Sequence, residues 1–349
     1  MFGVPLPKVP GLIINIKGNK PGTFGRGTHT SIVFLDAGTV DFGDVSFAEI
    51  KRLGSLKIYR DTLPGQIEKR IQSADTVIIN KCVLDRKLLI RLKSVRAIHV
   101  AATGVNNVDL KVAAERGIAV TNVSDYSTET MVQSTFALIL ALACDLFRMN
   151  RLAKDGTWSR SPFFIVAPVF IKEICGKTLG IIGYGNIGKR VAEAARAFGM
   201  KVLIGRIPGK RYAKKDRAKR VSFNTLISRS DFVTVHTPLT ELTRDLINAG
   251  VIRKMKPGSF LINVARGGIV NERALFDALK SGRLAGAAID VLSQEPPPAN
   301  HFLFKAPNLI ITPHSLWASL EVRKRLVDEL TLNIRAFQQG KRRNRLDAV

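Results

Sequence analysis

Acidic residues are scarce in this chain: 28 Asp and Glu stand against 54 Lys and Arg in 349 residues, a formal net charge of +26. Such an imbalance points to anionic partners, whether nucleic acid, an anionic membrane surface or negatively charged small molecules. The basic residues are spread along the chain, thickening at 201–220 and in "KRRNR" (341–345). No nucleic-acid module or aromatic-interleaved basic repeat accompanies them, so no specific nucleic-acid partner is expected. A solvated basic surface that attracts anionic substrates accounts for the charge, with nonspecific polyanion binding at low salt. Long apolar runs are also missing. The longest, "FALILALAC" (136–144) and "PFFIVAPVFI" (162–171), fall well short of the roughly 20 residues of a membrane helix. The expectation is a soluble, cytoplasmic protein with no membrane partner. Cysteine is rare as well: Cys82, Cys144 and Cys175 form no CxxC or His/Cys pair, which argues against a disulfide framework and a metal site and for a reducing compartment.

What is present is a chain long enough for two domains, 46% apolar and 23% charged, the balance of a globular protein. Residues 1–30 stand apart. They hold four prolines and six glycines, and no acid precedes Asp36. The lack of acids resembles an organelle-targeting leader, but the Pro/Gly content opposes an amphipathic helix, so a disordered extension is expected. From Ser31, β-branched runs alternate with helical stretches. "SIVFLDA" (31–37), "LKIYR" (56–60), "TVIIN" (76–80), "AIHVAAT" (97–103) and "IAVTN" (118–122) read as buried parallel strands. Helices are expected over 46–53, 65–73, 85–92 and 109–116. The pattern describes a first open α/β sheet. One long amphipathic helix is expected over 127–156, capped by Ser127 or Thr128 and closed by Gly156. Its apolar residues, Phe136, Leu140 and Phe147 among them, exceed what one domain needs, and half of them would pack on a second subunit.

A second alternating region opens with "TLGIIGYG" (178–185), a strand entering Gly183-Tyr184-Gly185-Asn186-Ile187-Gly188. Gly183 allows the tight turn, Gly185 lets a phosphate approach the backbone, and Gly188 lets the following helix lie close to the strand. That helix points free N–H groups and its positive dipole end at a pyrophosphate. About twenty residues on, where an NAD site usually offers an acid to the adenosine ribose, this chain has Gly205-Arg206. An acid there would repel a 2′-phosphate; Arg206, helped by Lys210 or Arg211, would attract it. NADP(H) is therefore favoured over NAD(H).

Further strands are expected at 232–238, 259–266, 286–292 and 309–314, and in an open α/β sheet the ligand lies beyond the carboxyl ends of the strands. Three of those ends carry unusual chemistry: Arg266 in "NVARGG", Glu295 in "DVLSQEPP" and His314 in "TPHSLW". A guanidinium offers a planar fork suited to a carboxylate and its neighbouring carbonyl. A histidine can give or take a proton near neutral pH, and a carboxylate beside it would hold the ring's orientation and favour its protonated form.

From about Ser31 to about Phe337 the chain resembles the D-isomer-specific 2-hydroxyacid dehydrogenases. "AATGVNNVDLKVAAERGIAVTNVSDYSTE", "GYGNIG", "HTPLTELTRDLIN", "NVARGGIVNERAL", "AAIDVLSQEP" and "TPHSLWAS" follow one another in the family's order. The resemblance implies that Arg266 binds and polarises a 2-oxo acid, that His314 is the acid/base and that Glu295 pairs with it. It also implies substrate contacts from backbone N–H groups around Thr103, Gly104 and Val105. Dinucleotide contacts are implied at Asn186, Ile187, Thr237, Pro238, Thr243, Val264, Ala265 and Asp290. The family topology makes 31–127 plus 315–349 a substrate domain and 128–314 a dinucleotide-binding domain, with the active site in a cleft between them and helix 127–150 in a homodimer interface. The closest branch is that of glycerate dehydrogenase and glyoxylate/hydroxypyruvate reductase. A D-lactate type of dehydrogenase, or a nucleotide-sensing corepressor on the same fold, are the alternatives.

Overall fold

The computed structural model describes residues 30–166, 171–213, 216 and 218–346; nearly all of the expected N-terminal extension lies outside them. They form two compact units, each built on an all-parallel sheet.

The first unit holds residues 30–39, Ser46–Asn122 and the chain from Asp328 on. Its strands are β1 (Ser31–Phe34), β2 (Ser55–Ile58), β3 (Thr76–Ile79), β4 (Ala97–Val100) and β5 (Ala119–Thr121), arranged β2-β1-β3-β4-β5. Helices α1 (Ala48–Lys51), α2 (Ile67–Ile71), α3 (Arg86–Arg91) and α4 (Leu110–Glu115) connect them. Asp85 and Asp109 cap α3 and α4 through N–H groups of Leu88 and Val112, each cap contributing about 1 kcal/mol. Ile78, Ile79, Ile98 and Val100 have no exposed surface, which is why β3 and β4 read as continuous apolar runs rather than alternating ones. The strand order reverses beside β1. There the buried Asp36 carboxylate accepts the N–H groups of Asn80, Lys81 and Cys82 at 2.8, 2.5 and 2.8 Å and shapes the turn that follows β3.

The second unit holds Val40–Val45 and Val123–Val327. It begins with α5 (Thr128–Ala143) and α6 (Leu146–Lys154). The strands are β6 (Thr178–Ile182), β7 (Lys201–Ile204), β8 (Phe232–Val235), β9 (Ser259–Asn263), β10 (Leu284–Ile289) and β11 (Leu309–Ile311), in the order β11-β10-β9-β8-β6-β7. Helices α7 (Asn186–Ala197), α8 (Phe223–Arg229), α9 (Ala249–Lys254) and α10 (Glu272–Lys280) cross between strands, and α11 (Leu320–Gln338) starts in this unit. All of these strands pair in parallel, which brings their carboxyl ends to one edge. Here the order reverses beside β6, which places the turn after β6 at the crevice where such sheets take ligands. Every expected strand is present, and those expected over 259–266, 286–292 and 309–314 each stop three residues earlier, because their last residues leave the ladder to form turns.

Two expectations are corrected. The single helix over 127–156 is two helices meeting at 58°, because Asp145 takes a left-handed conformation at φ 49°. Phe136 is core, stacked on Phe198 at 5.2 Å, whereas Leu146 and Phe147 are exposed. The partition also differs: 315–327 belong to the second unit. Leu316 and Trp317 pack on its core, and Arg323 forms a bidentate pair with Asp44 and donates to the Val40 carbonyl. No single helix among the described residues is long and apolar enough to cross a membrane.

His99 on β4 has no exposed surface. Its Nδ1 lies 2.7 Å from Thr121 Oγ1, and its Nε2 has no partner. Burial pushes its pKa down from 6.5 to about 3. The unfolded chain therefore gains a proton below 6.5 that the folded chain refuses until about 3, so this group makes stability fall as pH falls through that window, by about 1.4 kcal/mol per pH unit. His99→Phe should flatten the change in urea midpoint between pH 6.5 and pH 5 relative to the wild type. Parallel pH dependences in the two proteins would contradict this.

Candidate active site

Five of the second unit's strand ends contribute to one chemical set. After β6, Gly183 has φ +98°, and a Cβ there would lie 2.2 Å from the His236 carbonyl oxygen; at Gly188 a Cβ would meet the Gly183 oxygen at 2.1 Å. Those two glycines let the chain turn and let α7 start against it. Gly185 differs: it precedes the first residue of α7, and a Cβ would meet nothing within 4 Å. That bare position, below the free N–H groups of Asn186 and Ile187, fits the close approach of a phosphate.

After β8, Thr237 and Pro238 lead into a loop closed by Thr243, whose Oγ1 donates to the Pro238 carbonyl at 2.7 Å and accepts the Thr240 N–H at 2.7 Å. These residues line a cleft of about 420 Å³ together with Ile207, Lys210, Thr240, Glu241 and Leu242. The structure thus brings Thr237, Pro238 and Thr243 together with Lys210, beside the turn that carries Arg206. Ile207 and Leu242 were not foreseen, since only the fold sets these two apolar residues across the cleft.

After β9, Val264, Ala265 and Arg266 form a turn shaped by the buried Asn263, whose Oδ1 accepts the Ala265 N–H and whose Nδ2 donates to the Arg266 carbonyl. A Cβ at Gly267 would lie 2.0 Å from the Leu292 carbonyl oxygen, so only glycine lets this turn press against the end of β10. The Arg266 guanidinium donates one bond to the Ala265 carbonyl, and no carboxylate lies within ion-pair distance among the described residues. Nearby Tyr126 is buried, which pushes its phenol up to about 12 while Arg266 pulls the other way.

After β10 and β11 lie the two remaining groups. His314 Nδ1 is 2.6 Å from Glu295 Oε2, and Glu295 Oε1 accepts the Leu292 N–H at 2.9 Å. Both side chains are partly open, His314 at 25% and Glu295 at 35%, so the pair is held yet reachable. His314 itself sits at φ 52°, fixed by its N–H to the Asp290 and Thr312 carbonyls, while its own carbonyl accepts Trp317 Nε1–H. The Asp290 carboxylate, nearly buried, accepts Thr312 Oγ1–H at 2.6 Å and the Ser315 N–H at 3.1 Å. Burial raises its pKa, opposed by the Thr312 bond and by the nearby His314. With its Nδ1 on a carboxylate, the imidazole presents Nε2 to whatever lies beyond, the arrangement of an oriented acid/base.

In the first unit the Thr103–Val105 turn follows β4. Asn122 Nδ2 donates to the Thr103 carbonyl at 2.8 Å, and Val105 packs on that unit's core.

Comparison with known proteins agrees with this chemistry. Residues 136–315 match the model of the "D-isomer specific 2-hydroxyacid dehydrogenase, NAD binding domain". The chain is 38% identical to the glycerate dehydrogenase of Methylorubrum extorquens over 91% of its length and 99% of that protein. It is 36% identical to the hydroxypyruvate reductase of Blautia hydrogenotrophica, over 88% and 97%. Among solved structures, it is similar to an NADPH-dependent glyoxylate/hydroxypyruvate reductase from Sinorhizobium meliloti in complex with NADP and malonate (TM-score 0.76, 25% identity, 91% of this chain and 97% of that one).

The contrast between two glycines is testable. Gly183→Ala should lower stability by roughly 2 kcal/mol, because left-handed strain and a collision coincide there. Gly185→Ala should shift the thermal midpoint by less than about 2 °C yet weaken dinucleotide binding. Thermal unfolding without ligand, paired with a fluorescence titration, separates the two effects; a large loss of stability in Gly185→Ala would contradict the open cradle.

Proposed function

Because the chain belongs to the D-isomer-specific 2-hydroxyacid dehydrogenase family, whose members are NAD(P)-dependent oxidoreductases, we propose that it reduces a small 2-oxo acid of the glyoxylate or hydroxypyruvate class to the 2-hydroxy acid, of D configuration where the product is chiral, with NADPH preferred to NADH. The observation that carries this reading is the 2.6 Å His314–Glu295 pair, on the same sheet edge as an arginine that has no carboxylate partner among the described residues.

The residues fit a nicotinamide dinucleotide. The Gly183–Gly188 turn and the N–H groups of Asn186 and Ile187 would hold the pyrophosphate. Thr237, Pro238 and Thr243 would flank the adenosine, Arg206 and Lys210 the 2′-phosphate, and Val264, Ala265 and Asp290 the carboxamide end. When bound, the cofactor supplies the hydride. Arg266 binds the carboxylate and draws electron density from the adjacent carbonyl, a role its planar fork fills and a lysine cannot. His314 gives its Nε2 proton to the carbonyl oxygen as negative charge develops there, and Glu295 keeps the ring aligned and balances its charge. The family resemblance assigns further carboxylate contacts to the backbone N–H groups of Thr103, Gly104 and Val105. The exposed Leu146 and Phe147 support a homodimer through the α5–α6 region.

Purified protein should oxidise NADPH in the presence of glyoxylate or hydroxypyruvate, and no turnover with any small 2-oxo acid would refute the assignment. His314→Ala should lower kcat by about a hundredfold or more while cofactor binding persists; equal turnover would refute its acid/base role. Arg266→Lys should raise KM and lower kcat together, and unchanged constants would remove it from the substrate site. Arg206→Asp should move preference toward NADH, since a carboxylate repels a 2′-phosphate; an unmoved preference would count against Arg206.

A further inference from the structure

Just beyond β7, one aromatic ring collects three cations. Arg206 Cζ lies 5.9 Å from the centroid of the Tyr212 ring, Lys210 Nζ 5.7 Å and Arg220 Cζ 4.2 Å. The three do not serve alike. Arg220 is nearly buried, at 7% side-chain exposure, and makes a fork with both Asp216 oxygens at 2.8 and 2.7 Å. Its charge is therefore matched, and it acts as the floor on which the ring rests. Arg206 and Lys210 are exposed and have no carboxylate in ion-pair reach among the described residues.

The backbone shows how this arrangement is kept. Arg206 N–H donates to the Val221 carbonyl and Val221 N–H to the Ile204 carbonyl, which ties the strand carrying Arg206 to the segment carrying Arg220. The Tyr212 hydroxyl accepts the Ile207 N–H at 2.8 Å, so the ring is pinned to the residue next to Arg206. Lys210 N–H returns to the Ile207 carbonyl, and Gly209, at φ +73°, turns the chain between them. Lys210 and Ile207 also line the cleft formed with Thr237, Pro238, Leu242 and Thr243.

Two cations that share one ring, each within 6 Å of its centroid, repel one another, and the negative face of the ring offsets part of that repulsion, by about 0.5–1 kcal/mol for each exposed cation. A ring that gathers charge of one sign at the rim of a nucleotide cleft suits a ligand with concentrated charge of the other sign. We infer that Tyr212 is a positioning residue for coenzyme choice: its ring holds Arg206 and Lys210 together as the receptor for the 2′-phosphate of NADPH. The inference rests on the NADPH reading above and adds to it a residue that touches neither hydride nor substrate.

The test is calorimetric titration of the full chain with 2′,5′-ADP and with 5′-AMP, which differ by the 2′-phosphate alone. The wild type should bind 2′,5′-ADP the more tightly. Tyr212→Leu should reduce that ratio by about tenfold, the worth of two weak cation–ring contacts, with the affinity for 5′-AMP within about twofold of the wild type. Tyr212→Phe keeps the ring and should retain most of the ratio. A wild type that binds the two nucleotides equally would remove the NADPH reading and this inference with it. A discriminating wild type whose ratio survives in Tyr212→Leu, or falls equally in both variants, would overturn the role of the ring alone.

Discussion

The backbone of His314 is the constraint on which the catalytic end of the second unit depends. A histidine at φ 52° occupies a region that L-residues avoid, at a cost of roughly 1 kcal/mol or more, and it stays there because the surroundings leave no alternative. Its N–H is shared between the carbonyls of Asp290 and Thr312, and its carbonyl takes Trp317 Nε1–H. The next N–H, that of Ser315, reaches the nearly buried Asp290 carboxylate. A residue three positions past a strand would ordinarily follow the strand's direction. This one is turned so that its ring meets Glu295, itself fastened by the Leu292 N–H. In the proposed role of His314 as acid/base, a ring fixed before substrate arrives leaves little reorganisation for the reaction to accomplish.

The same logic applies at the other strand ends. Asn263 folds the turn that carries Arg266, Gly267 lets that turn approach the end of β10, and Thr243 closes the loop after β8. In each case a buried or glycine-enabled backbone contact sets the position of a group that must stay free to bind. The excess of positive charge becomes intelligible in part through this arrangement. Among the described residues, Arg266, Arg206 and Lys210 have no carboxylate within ion-pair reach, the condition that the proposed anion receptors require.

Much of this was legible in the sequence because short-range physics specifies it. Short apolar runs, most of them rich in β-branched residues, marked the strands, and three glycines at fixed spacing between a strand and a helix marked the turn at Gly183–Gly188. Arg266, Glu295 and His314 stood out because charged or titratable side chains at strand ends have few structural uses. The features that were not legible depend on tertiary contacts. Nothing local announces the bend at Asp145, since Cys144 and Asp145 break no helical pattern. The docking of 315–327 on the second unit follows from Trp317 and Arg323 finding partners more than a hundred residues away in the chain, near Tyr126 and Asp44. Asn263 lies inside an expected strand and Tyr212 inside the basic stretch 201–220, and only the fold sets the carbonyl, the amide and the cations around them.

In the proposed reaction the carbonyl held by Arg266 takes hydride at carbon and the His314 proton at oxygen, and the hand of the product follows from the single face that this grip turns toward the cofactor. Incubation of the protein with hydroxypyruvate and NADPH, followed by chiral chromatography of the glycerate formed, tests it most directly. The account predicts D-glycerate in stoichiometric amount with the NADPH consumed. Formation of L-glycerate, or consumption of NADPH without glycerate, would contradict it.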